Sequence, residues 1–269
     1  KYSVMKCLQC SLSFLHPIPS HEELEKIYSK EYYQSLDSNQ TGYSDYKKDV
    51  DLIILTAIRR YRMIMSKINL KKDIKVLDVG CAFGYFLDIA RLYGWEVKGL
   101  DISQDAVQEA VRTFKLDVQS GTLDSIKYPS GSFDLVSCWD VIEHVSDPMS
   151  FFREVSRVVA PGGSLVIATP DIGSLPSIIM GKRWMGYKSM EHLYFYNRET
   201  LTQYLQKAGF EVKEFAYIGK YISLDLFINR FEYYFGPFSF LIRAISALLP
   251  KRFYLNPFDI LYVRAQRIS

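Results

Sequence analysis

Apolar and polar positions follow different periods along the chain, and each change of period marks a predicted element. Over 50–68, apolar side chains recur every three or four positions against charged ones, which predicts an amphipathic helix. From 74 onward, short apolar runs alternate with helical periods. The predicted strands are 75–79, 96–100, 117–119, 133–138 and 165–169, and the predicted helices between them are 84–93, 104–114 and 148–159. This β-α-β alternation predicts an α/β fold with a doubly wound, Rossmann-like, mostly parallel sheet that carries helices on both faces.

The last third of the chain predicts a different arrangement. Asn197 is placed to cap one more helix. Two further strands are predicted at 211–217 and 260–266. Between them, 220–257 is far longer than a hairpin loop, is dense in apolar and aromatic side chains, and is divided by Gly236-Pro237. We therefore predict a helical cap of two helices, inserted before the last strand.

These patterns divide the chain into three parts. The parts are an N-terminal segment over 1–48, a core over 49–219 and 258–269, and the cap over 220–257. The cap has a structural and a functional interpretation. In the first, it packs on the sheet edge. In the second, it covers an amphiphilic acceptor, or it makes a peripheral membrane contact in which Lys251 and Arg252 lie near lipid headgroups.

Composition excludes several classes of protein. Of 269 residues, 48% are hydrophobic and 15% aromatic, too many for a disordered or collagen-like chain. The 33 basic and 30 acidic residues nearly balance, so we expect no nucleic-acid partner. No uncharged apolar run reaches the ~18 residues that span a bilayer, no signal peptide follows Lys1, and four cysteines do not make a disulfide framework. We expect a cytoplasmic protein whose true start precedes Lys1.

The loop after the first core strand carries an acid and two glycines. Gly80 and Gly84 let the backbone approach a ligand at a helix N-terminus, although a tight turn without a ligand is the plain alternative. Asp101 ends the next strand 23 positions after Asp78, close to the roughly 20-residue offset of an acid that binds ribose hydroxyls. The glycines do not follow the Gly-x-Gly-x-x-Gly order of dinucleotide sites, and the Asp78 carboxylate would repel a pyrophosphate. The loop therefore predicts a ligand with an adenosine end and a positively charged end, rather than NAD.

Four motifs extend this interpretation to a family. They are D-x-G-x-x-x-G at 78–84, F-D-x-V at 133–136, E-H-V at 143–145 and P-G-G at 161–163. Together they resemble the class I S-adenosylmethionine-dependent methyltransferases over about residues 50–217. The resemblance implies a seven-stranded sheet, a cofactor over the carboxyl ends of the strands, and S-adenosylhomocysteine as product.

The resemblance also implies a role for individual residues. The 78–84 turn would face the methionine moiety, Asp101 the ribose and Ile102 the adenine. Many relatives carry Gly-Asp after the third strand, whereas this chain has Gly-Thr-Leu, so Thr122 or the Leu123 N–H would contact the adenine. The implied cofactor-binding residues are Asp78, Gly80, Cys81, Gly84, Asp101, Ile102, Thr122, Leu123 and Trp139.

Two histidines near the predicted carboxyl edge are candidate bases. Methyl transfer from a sulfonium needs alignment, and a hydroxyl acceptor must also lose its proton. The catalytic candidates are His192, His144 and Glu143, with His192 slightly preferred as the base; bracing the loops is the alternative role of the histidines. Asp140, Glu143 and His144 form an alternative hard-cation site, which is similar to a metal-bearing pattern in quinone-precursor O-methyltransferases.

Cys7 and Cys10, spaced Cys-x-x-Cys, supply two of the four ligands of a tetrahedral zinc site. With the residues that follow, they resemble the second half of an N-terminal zinc ribbon fused to many such methyltransferases. Zinc is expected only if the ribbon is complete. The tyrosine-rich segment through Tyr43 and Tyr46 predicts either an entry flap over the cofactor or packing against the 50–68 helix.

These features lead to one functional prediction and two alternatives. The prediction is transfer of a methyl group from S-adenosylmethionine to a hydroxyl of a small or lipid-linked sugar-type acceptor. The alternatives are a non-catalytic S-adenosylmethionine-binding regulatory or partner subunit, and a quinone-precursor-like O-methyltransferase that uses a divalent cation. The sequence makes no prediction of the oligomeric state.

Overall fold

The computed structural model describes residues 2–19, 23, 49–68, 73–187, 191–236 and 246–268. The strands within these ranges are β1 (Ser3–Lys6), β2 (Ser13–His16), β3 (Lys75–Val79), β4 (Glu96–Asp101), β5 (Val118–Ser120), β6 (Phe133–Trp139), β7 (Val159–Pro170), β8 (Tyr194–Phe195), β9 (Phe210–Ser223) and β10 (Arg252–Arg267). The α-helices are α1 (Val50–Lys67), α2 (Tyr85–Leu92), α3 (Gln104–Phe114), α4 (Leu123–Ile126), α5 (Pro148–Val158), α6 (Leu175–Met180), α7 (Arg198–Lys207) and α8 (Leu224–Phe235). Short 3-10 turns lie at Gly181–Arg183 and Ser246–Leu248.

Seven strands form the main sheet, in the order β5-β4-β3-β6-β7-β10-β9. The five strands from β5 to β7 in this order are parallel, and β10 is antiparallel to both of its neighbours. The chain builds outward from β3 through β4 to β5 and then returns to the other side of β3 with β6. Because ligands bind at the carboxyl ends of strands where the order reverses, β3 and β6 mark the site.

Alternate side chains of the central strands enter two separate cores. Leu77 and Val79 of β3 pack on one face with Phe152 of α5 and Leu201 of α7. Val76 packs on the opposite face, where α1, α2 and α3 contribute the apolar side chains. The sheet is therefore covered by helices on both sides, and the predicted doubly wound fold is confirmed.

In the parallel part of the sheet, the strand and helix bounds agree closely with the periodicity except around Pro161-Gly162-Gly163. The sequence predicts that this motif precedes a strand at 165–169, but β7 already begins at Val159. Pairing of β7 with β6 shifts register between Phe133 and Leu135, so the glycine motif is accommodated as an irregularity inside the strand. Proline and glycine are rare in strands, so the motif does not predict one from the sequence.

The prediction of a purely helical 220–257 segment is wrong at both ends. β9 continues to Ser223 and β10 begins at Arg252, and the two strands pair from Arg252↔Ser223 to Leu255↔Lys220. Only α8 is helical in the first half, and most of the second predicted helix, 237–245, lies outside the described residues. Within the described ranges, no helix is both long and apolar enough to cross a membrane.

The N-terminal hairpin packs on the core. β1 and β2 form an antiparallel hairpin, and β2 also pairs with β8, which gives a small second sheet. Leu12 and Leu15 are buried, and Leu12 belongs to the same core as Leu77. The described part of the segment 1–48 is therefore continuous with the core, whereas Tyr43 and Tyr46 of the predicted flap lie outside the described residues.

Candidate active site

A cavity of about 1250 Å³ lies at the carboxyl ends of β3, β4 and β6. This volume exceeds the roughly 300–1,000 Å³ of a typical small-molecule site, so it has room for two ligands. The predicted site residues that line it are Gly80, Asp101, Ile102, Thr122, Leu123, Trp139, Glu143, His144 and His192. Asp78 and Cys81 line a smaller cavity of about 120 Å³ that shares Gly80 and Trp139 with the first.

The two glycines of the turn after β3 have different roles. Gly80 has a φ of +72°, and a Cβ there would lie 2.4 Å from a methyl carbon of Val141. Gly84 has a φ of +76° and begins α2, and a Cβ there would lie 2.5 Å from the Leu116 side chain. Gly80 therefore keeps the turn open beside the cavity, whereas Gly84 lines neither cavity and serves the packing of α2. Its predicted role as a ligand contact does not match this position.

Asp101 is fixed at the end of β4 by backbone donors on both sides. Its Oδ2 accepts the Ala82 N–H at 2.8 Å, and its Oδ1 accepts the Ser103 N–H at 2.9 Å. The side chain is buried but lines the large cavity. Each carboxylate oxygen has more than one lone pair, so the oriented carboxylate can still accept hydrogen bonds from a diol. This geometry suits the predicted ribose contact.

Ile102 gives the cavity an apolar surface next to Asp101. Ile102 is 52% exposed although it follows a buried strand, and it lines the cavity beside Leu123. The Thr122 hydroxyl already accepts the Ser125 N–H at 3.3 Å as the N-cap of α4. An aliphatic side chain left open beside the Asp101 carboxylate offers a surface for a flat base attached to a bound ribose.

Asp78 is buried at the floor of the smaller cavity. Its Oδ1 accepts a hydrogen bond from the Ser137 hydroxyl at 2.6 Å. Burial raises the pKa of Asp78 to about 7, because the loss of hydration outweighs the Ser137 hydrogen bond and the Arg60 charge, which both lower it. Near neutral pH this carboxyl group is therefore poised between its two charge states.

Arg60 of α1 also lies at this cavity, and sequence reasoning missed it. Its Nη2 lies 3.2 Å from Asp140 Oδ2, and its guanidinium carbon lies 4.5 Å from the centroid of the Trp139 ring. The side chain lines the smaller cavity with Asp78. Within the 50–68 pattern it is simply one residue of the polar helix face, and no sequence signal distinguishes it from Arg59. The fold gives it a position suited to a carboxylate ligand.

His144 and His192 meet in the large cavity. Their ring centroids are 4.8 Å apart, at an interplanar angle of 83°. The Nδ1 of His144 is 2.8 Å from the Glu191 carbonyl oxygen, and the Nδ1 of His192 is 2.8 Å from the Gly186 carbonyl oxygen. Because a carbonyl only accepts, we assign the proton of each neutral ring to Nδ1, so Nε2 is the nitrogen of each ring that can take up a proton.

Glu143 completes a compact group with the two histidines. Its Oε2 accepts a hydrogen bond from the Thr169 hydroxyl at 2.9 Å, and its Oε1 lies 3.9 Å from His144 Nε2. One nitrogen or oxygen atom from each of the three residues lies within 4.8 Å of the other two. Asp140 belongs instead to the ion pair with Arg60, so the hard-cation set predicted from Asp140, Glu143 and His144 is wrong in its first member. Two imidazoles and one glutamate are the ligand set of several catalytic zinc sites.

Cys7 and Cys10 lie on the tight turn of the N-terminal hairpin. Both are free thiols of intermediate exposure. The backbone N–H groups of Cys10 and Gln9 lower the pKa of the Cys7 thiol, which favours a metal-binding thiolate. Among the described residues, no third zinc ligand accompanies them. The turn offers two thiols on one side of the hairpin, and the zinc site stays a prediction.

Comparison with known proteins decides the family. A family model described as a methyltransferase domain matches residues 50–214, well over half of the chain. The chain belongs to the class I S-adenosylmethionine-dependent methyltransferases. Its fold agrees with a SAM-dependent methyltransferase from Archaeoglobus fulgidus, with a TM-score of 0.57 and 22% identity over 82% of this chain and 99% of that one. An S-adenosylmethionine-dependent methyltransferase from Mesorhizobium loti aligns with a TM-score of 0.53 and 21% identity over 77% of this chain and 97% of that one.

Curated relatives of this methyltransferase differ in the atom they methylate. A probable S-adenosylmethionine-dependent methyltransferase from Mycolicibacterium smegmatis is 32% identical over 52% of each chain. A ubiquinone biosynthesis O-methyltransferase from Vibrio parahaemolyticus is 34% identical over 35% of this chain and 43% of that protein. A norajmaline N-methyltransferase from Rauvolfia serpentina is 36% identical over 36% of each chain. The chain therefore spans about half the length, or less, of these relatives.

The other half of the large cavity is lined by the ends of β9 and β10 and by α8, which connects them. Lys220 of β9 and Arg230 of α8 line it. The aromatic side chains there are Phe227, Phe231 and Tyr234. Burial raises the pKa of Tyr234 to about 12, so its hydroxyl remains protonated at neutral pH. This half of the cavity combines aromatic rings with two cations and the Asp259 carboxyl group, whereas the half around Asp101 carries the motifs of the predicted cofactor site.

We expect the affinity for S-adenosylmethionine to fall roughly tenfold from pH 7.5 to pH 6. Asp78 has a pKa of about 7 in the free protein and becomes neutral as the pH falls. A cationic sulfonium or amine is bound more strongly by the ionised carboxylate than by the neutral acid. Binding at pH 6 therefore requires Asp78 to release a proton, which costs about 1.4 kcal/mol for each pH unit below its pKa. Calorimetric titration at a series of pH values measures this change.

Asp78→Asn is the control for this pH dependence. The amide oxygen still accepts the hydrogen bond from Ser137 but does not titrate. The variant is expected to bind more weakly at pH 7.5 and with a flatter pH profile than the parent. Equal affinities of the parent at both pH values would show that Asp78 does not face the positive charge of the cofactor.

Proposed function

We propose that this protein transfers the methyl group of S-adenosylmethionine to a hydroxyl oxygen of its acceptor. The observation that carries the proposal is one continuous cavity that joins the Gly80 turn and Asp101 to the His144–His192 pair. The methyl donor and the group that takes the acceptor proton are then in reach of the same bound acceptor. An N-methyltransferase acting on a neutral amine has less need of such a base.

The residues present fit the proposed cofactor. Asp101 offers oriented acceptors for the ribose, and Ile102 offers an apolar surface for the adenine. Arg60 and Asp78 line the smaller cavity, which adjoins the first at Gly80 and Trp139, and they can serve as partners for the methionine carboxylate and the positive charges. The bound cofactor supplies an electrophilic methyl group, and the reaction is a displacement at that carbon. The protein contributes alignment and exclusion of water.

Within the pair, we assign the base to His144. Its Nε2, the unprotonated nitrogen of the neutral ring, lies 3.9 Å from Glu143 Oε1, and this carboxylate stabilises the imidazolium that forms when the proton arrives. His192 is more deeply buried and packs its ring against His144, which suits a positioning role. This assignment reverses the slight preference that the sequence gives to His192.

The acceptor we propose is a small or lipid-linked sugar-type molecule. Three aromatic rings in the second half of the cavity offer flat apolar surfaces to a sugar ring or to a lipid chain. Lys220 and Arg230 on the same wall complement a phosphate, the group that links sugars to lipid carriers. Asp259 lines the same half and interacts electrostatically with both cations, so the phosphate we propose would share them with this carboxyl group.

Calorimetry together with methyl transfer from labelled S-adenosylmethionine to a panel of hydroxyl acceptors tests the proposed function. We expect both S-adenosylmethionine and S-adenosylhomocysteine to bind, and a sugar phosphate or lipid-linked sugar to become labelled. Absence of cofactor binding by the parent protein would overturn the proposal. Binding without transfer to any acceptor would favour a non-catalytic regulatory subunit.

A divalent cation at Glu143, His144 and His192 is the second candidate mechanism. The ligand atoms of these residues lie within 4.8 Å of one another, and both histidines donate Nδ1–H to a carbonyl oxygen, as metal-bound histidines usually do. A cation there would polarise the acceptor hydroxyl in place of a base.

Removal of metal distinguishes the two mechanisms. With His144 as the base, we expect turnover to be unchanged after dialysis against EDTA, and added Mg²⁺ or Zn²⁺ to give no increase. Turnover is measured with labelled cofactor before and after dialysis. Loss of activity on chelation that Mg²⁺ or Zn²⁺ restores would establish the cation-dependent mechanism and overturn the assignment of His144 as a free base.

A further inference from the structure

The outward face of α6 is apolar. Leu175, Ile178 and Ile179 are spaced i, i+3 and i+4, so they lie on one face of the helix. Their exposed fractions are 68%, 68% and 75%. Single exposed aliphatic residues are common on protein surfaces, but three adjacent ones on the same helical turn form a patch that calls for a partner.

Exposed basic residues follow this patch directly. Lys182 and Arg183 lie in the 3-10 turn after α6 and are both exposed. From Ile172 to Tyr187, the sequence contains no aspartate or glutamate. The surface therefore combines an aliphatic face with positive charge, and it complements a partner that is apolar inside and negatively charged outside.

The opposite side of the same segment faces the active site. Pro176 and Met180 of α6, together with Met185, line the large cavity. One short helix thus separates the acceptor half of the cavity from the exterior. A molecule anchored in a layer against the outer face of α6 lies close to the mouth of the cavity.

We propose that the α6 surface, formed by Leu175, Ile178, Ile179, Lys182 and Arg183, docks this protein on an anionic phospholipid bilayer. Aliphatic side chains enter the boundary between headgroups and acyl chains, and neighbouring lysine and arginine side chains bind anionic headgroups. The proposal rests on the proposed function in one respect, which is that docking delivers a lipid-linked acceptor to the cavity.

A bilayer fits this surface better than a second copy of the chain does. A twofold interface built on α6 would bring Lys182 and Arg183 of both copies to the same small patch, where like charges repel. The membrane contact expected of the segment 220–257 receives less support from the described residues. Arg252, expected near headgroups, pairs with Asp51 at 2.6 Å, and Phe227, Phe231 and Tyr234 of α8 line the cavity.

Flotation with lipid vesicles tests the proposal. The full chain is mixed with vesicles of phosphatidylcholine alone or with 30% phosphatidylglycerol, and the floated fraction is measured. We expect flotation only with the anionic vesicles. I178S/I179S should lower the floated fraction about tenfold, and K182Q/R183Q should lower it several-fold. Higher salt should lower the flotation of the parent and so reduce the difference between the parent and K182Q/R183Q.

The matched control removes exposed aliphatic residues at the opposite edge of the sheet. L92S/I268S changes side chains that are 67% and 58% exposed, and it should float like the parent. Calorimetry with S-adenosylmethionine should give the same affinity for all three variants, because none of the changed residues lines the cavity.

Several results would overturn the docking proposal. These are no flotation by the parent, equal flotation with both vesicle types, and flotation of I178S/I179S at the parental level. A dimer in analytical ultracentrifugation that I178S/I179S abolishes would assign the surface to a second copy instead. If the parent floats as expected but binds no S-adenosylmethionine, the proposed function fails and the docking proposal stands.

Discussion

Asp101→Ala should weaken S-adenosylmethionine binding at least a hundredfold. The change removes both acceptors for the ribose diol, and hydrogen bonds to a charged group contribute about 1.5–3 kcal/mol each. It also releases the Ala82 and Ser103 N–H groups that the carboxylate holds, so the turn after β3 loses its anchor. A loss of about 3 kcal/mol corresponds to more than a hundredfold in affinity, which calorimetric titration measures directly.

Asp105→Ala is the matched control for this substitution. Asp105 is an exposed acid in the first turn of α3, only four residues from Asp101, and it does not line the cavity. Its replacement should leave the affinity within about twofold of the parent, since exposed charges away from a site contribute little. Thermal unfolding of both variants separates a binding defect from a folding defect. An Asp101→Ala protein that is folded and binds normally would place the ribose elsewhere.

The parallel half of the fold is predictable from the local sequence pattern, because the buried positions of each strand and helix there are apolar and recur with the period of that element. β3 and α3 have the bounds that periodicity gives them, since a fully buried strand and an amphipathic helix leave distinct signals within a few residues. The extension of β9 and β10 is not predictable in this way. The apolar residues there are compatible with either a helix or a strand. They form strands because Arg252 pairs with Ser223, although the two residues are separated in sequence by the α8 connection.

The candidate site shows the same division between local and tertiary information. Asp101 and Gly80 are predictable because they stand at fixed offsets in one β-α-β unit. Arg60 and Asp140 are 80 positions apart in sequence. Their ion pair forms because α1 packs against α2 and β9, which brings Arg60 to the carboxyl end of β6. From the sequence, Asp140 is expected to bind a cation with Glu143 and His144. In the structure its carboxylate instead pairs with Arg60.

The N-terminal hairpin has a structural role that the zinc pattern does not reveal. Leu15 N–H donates to the Leu193 carbonyl oxygen at 2.8 Å, and Leu193 N–H donates to the Glu143 carbonyl oxygen at 2.7 Å. The hairpin thus holds the backbone beside His192, and that backbone holds the loop of His144. The geometry of the two histidines depends on residues as far apart in sequence as Leu15 and Leu193, which explains why neither loop alone indicates which histidine is the base.

His144→Asn should lower kcat at least about a hundredfold while the affinity for S-adenosylmethionine stays within about threefold. The asparagine amide can keep the donor to the Glu191 carbonyl oxygen that Nδ1 provides, but it has no counterpart of Nε2. Loss of a general base typically costs 10²–10⁴ in rate. The parent should lose activity as its imidazole becomes protonated at low pH, and this acid limb should disappear from the residual activity of the variant.

Two histidine substitutions complete this test. His192→Asn should lower kcat less than His144→Asn and should keep the acid limb, because a residue that positions the base does not itself take the proton. His16→Asn changes an exposed histidine of the N-terminal hairpin and should behave as the parent. The measurement is the pH dependence of kcat for all four proteins. If the loss of activity at low pH disappears in His192→Asn but not in His144→Asn, the base is His192, which is the residue preferred from the sequence.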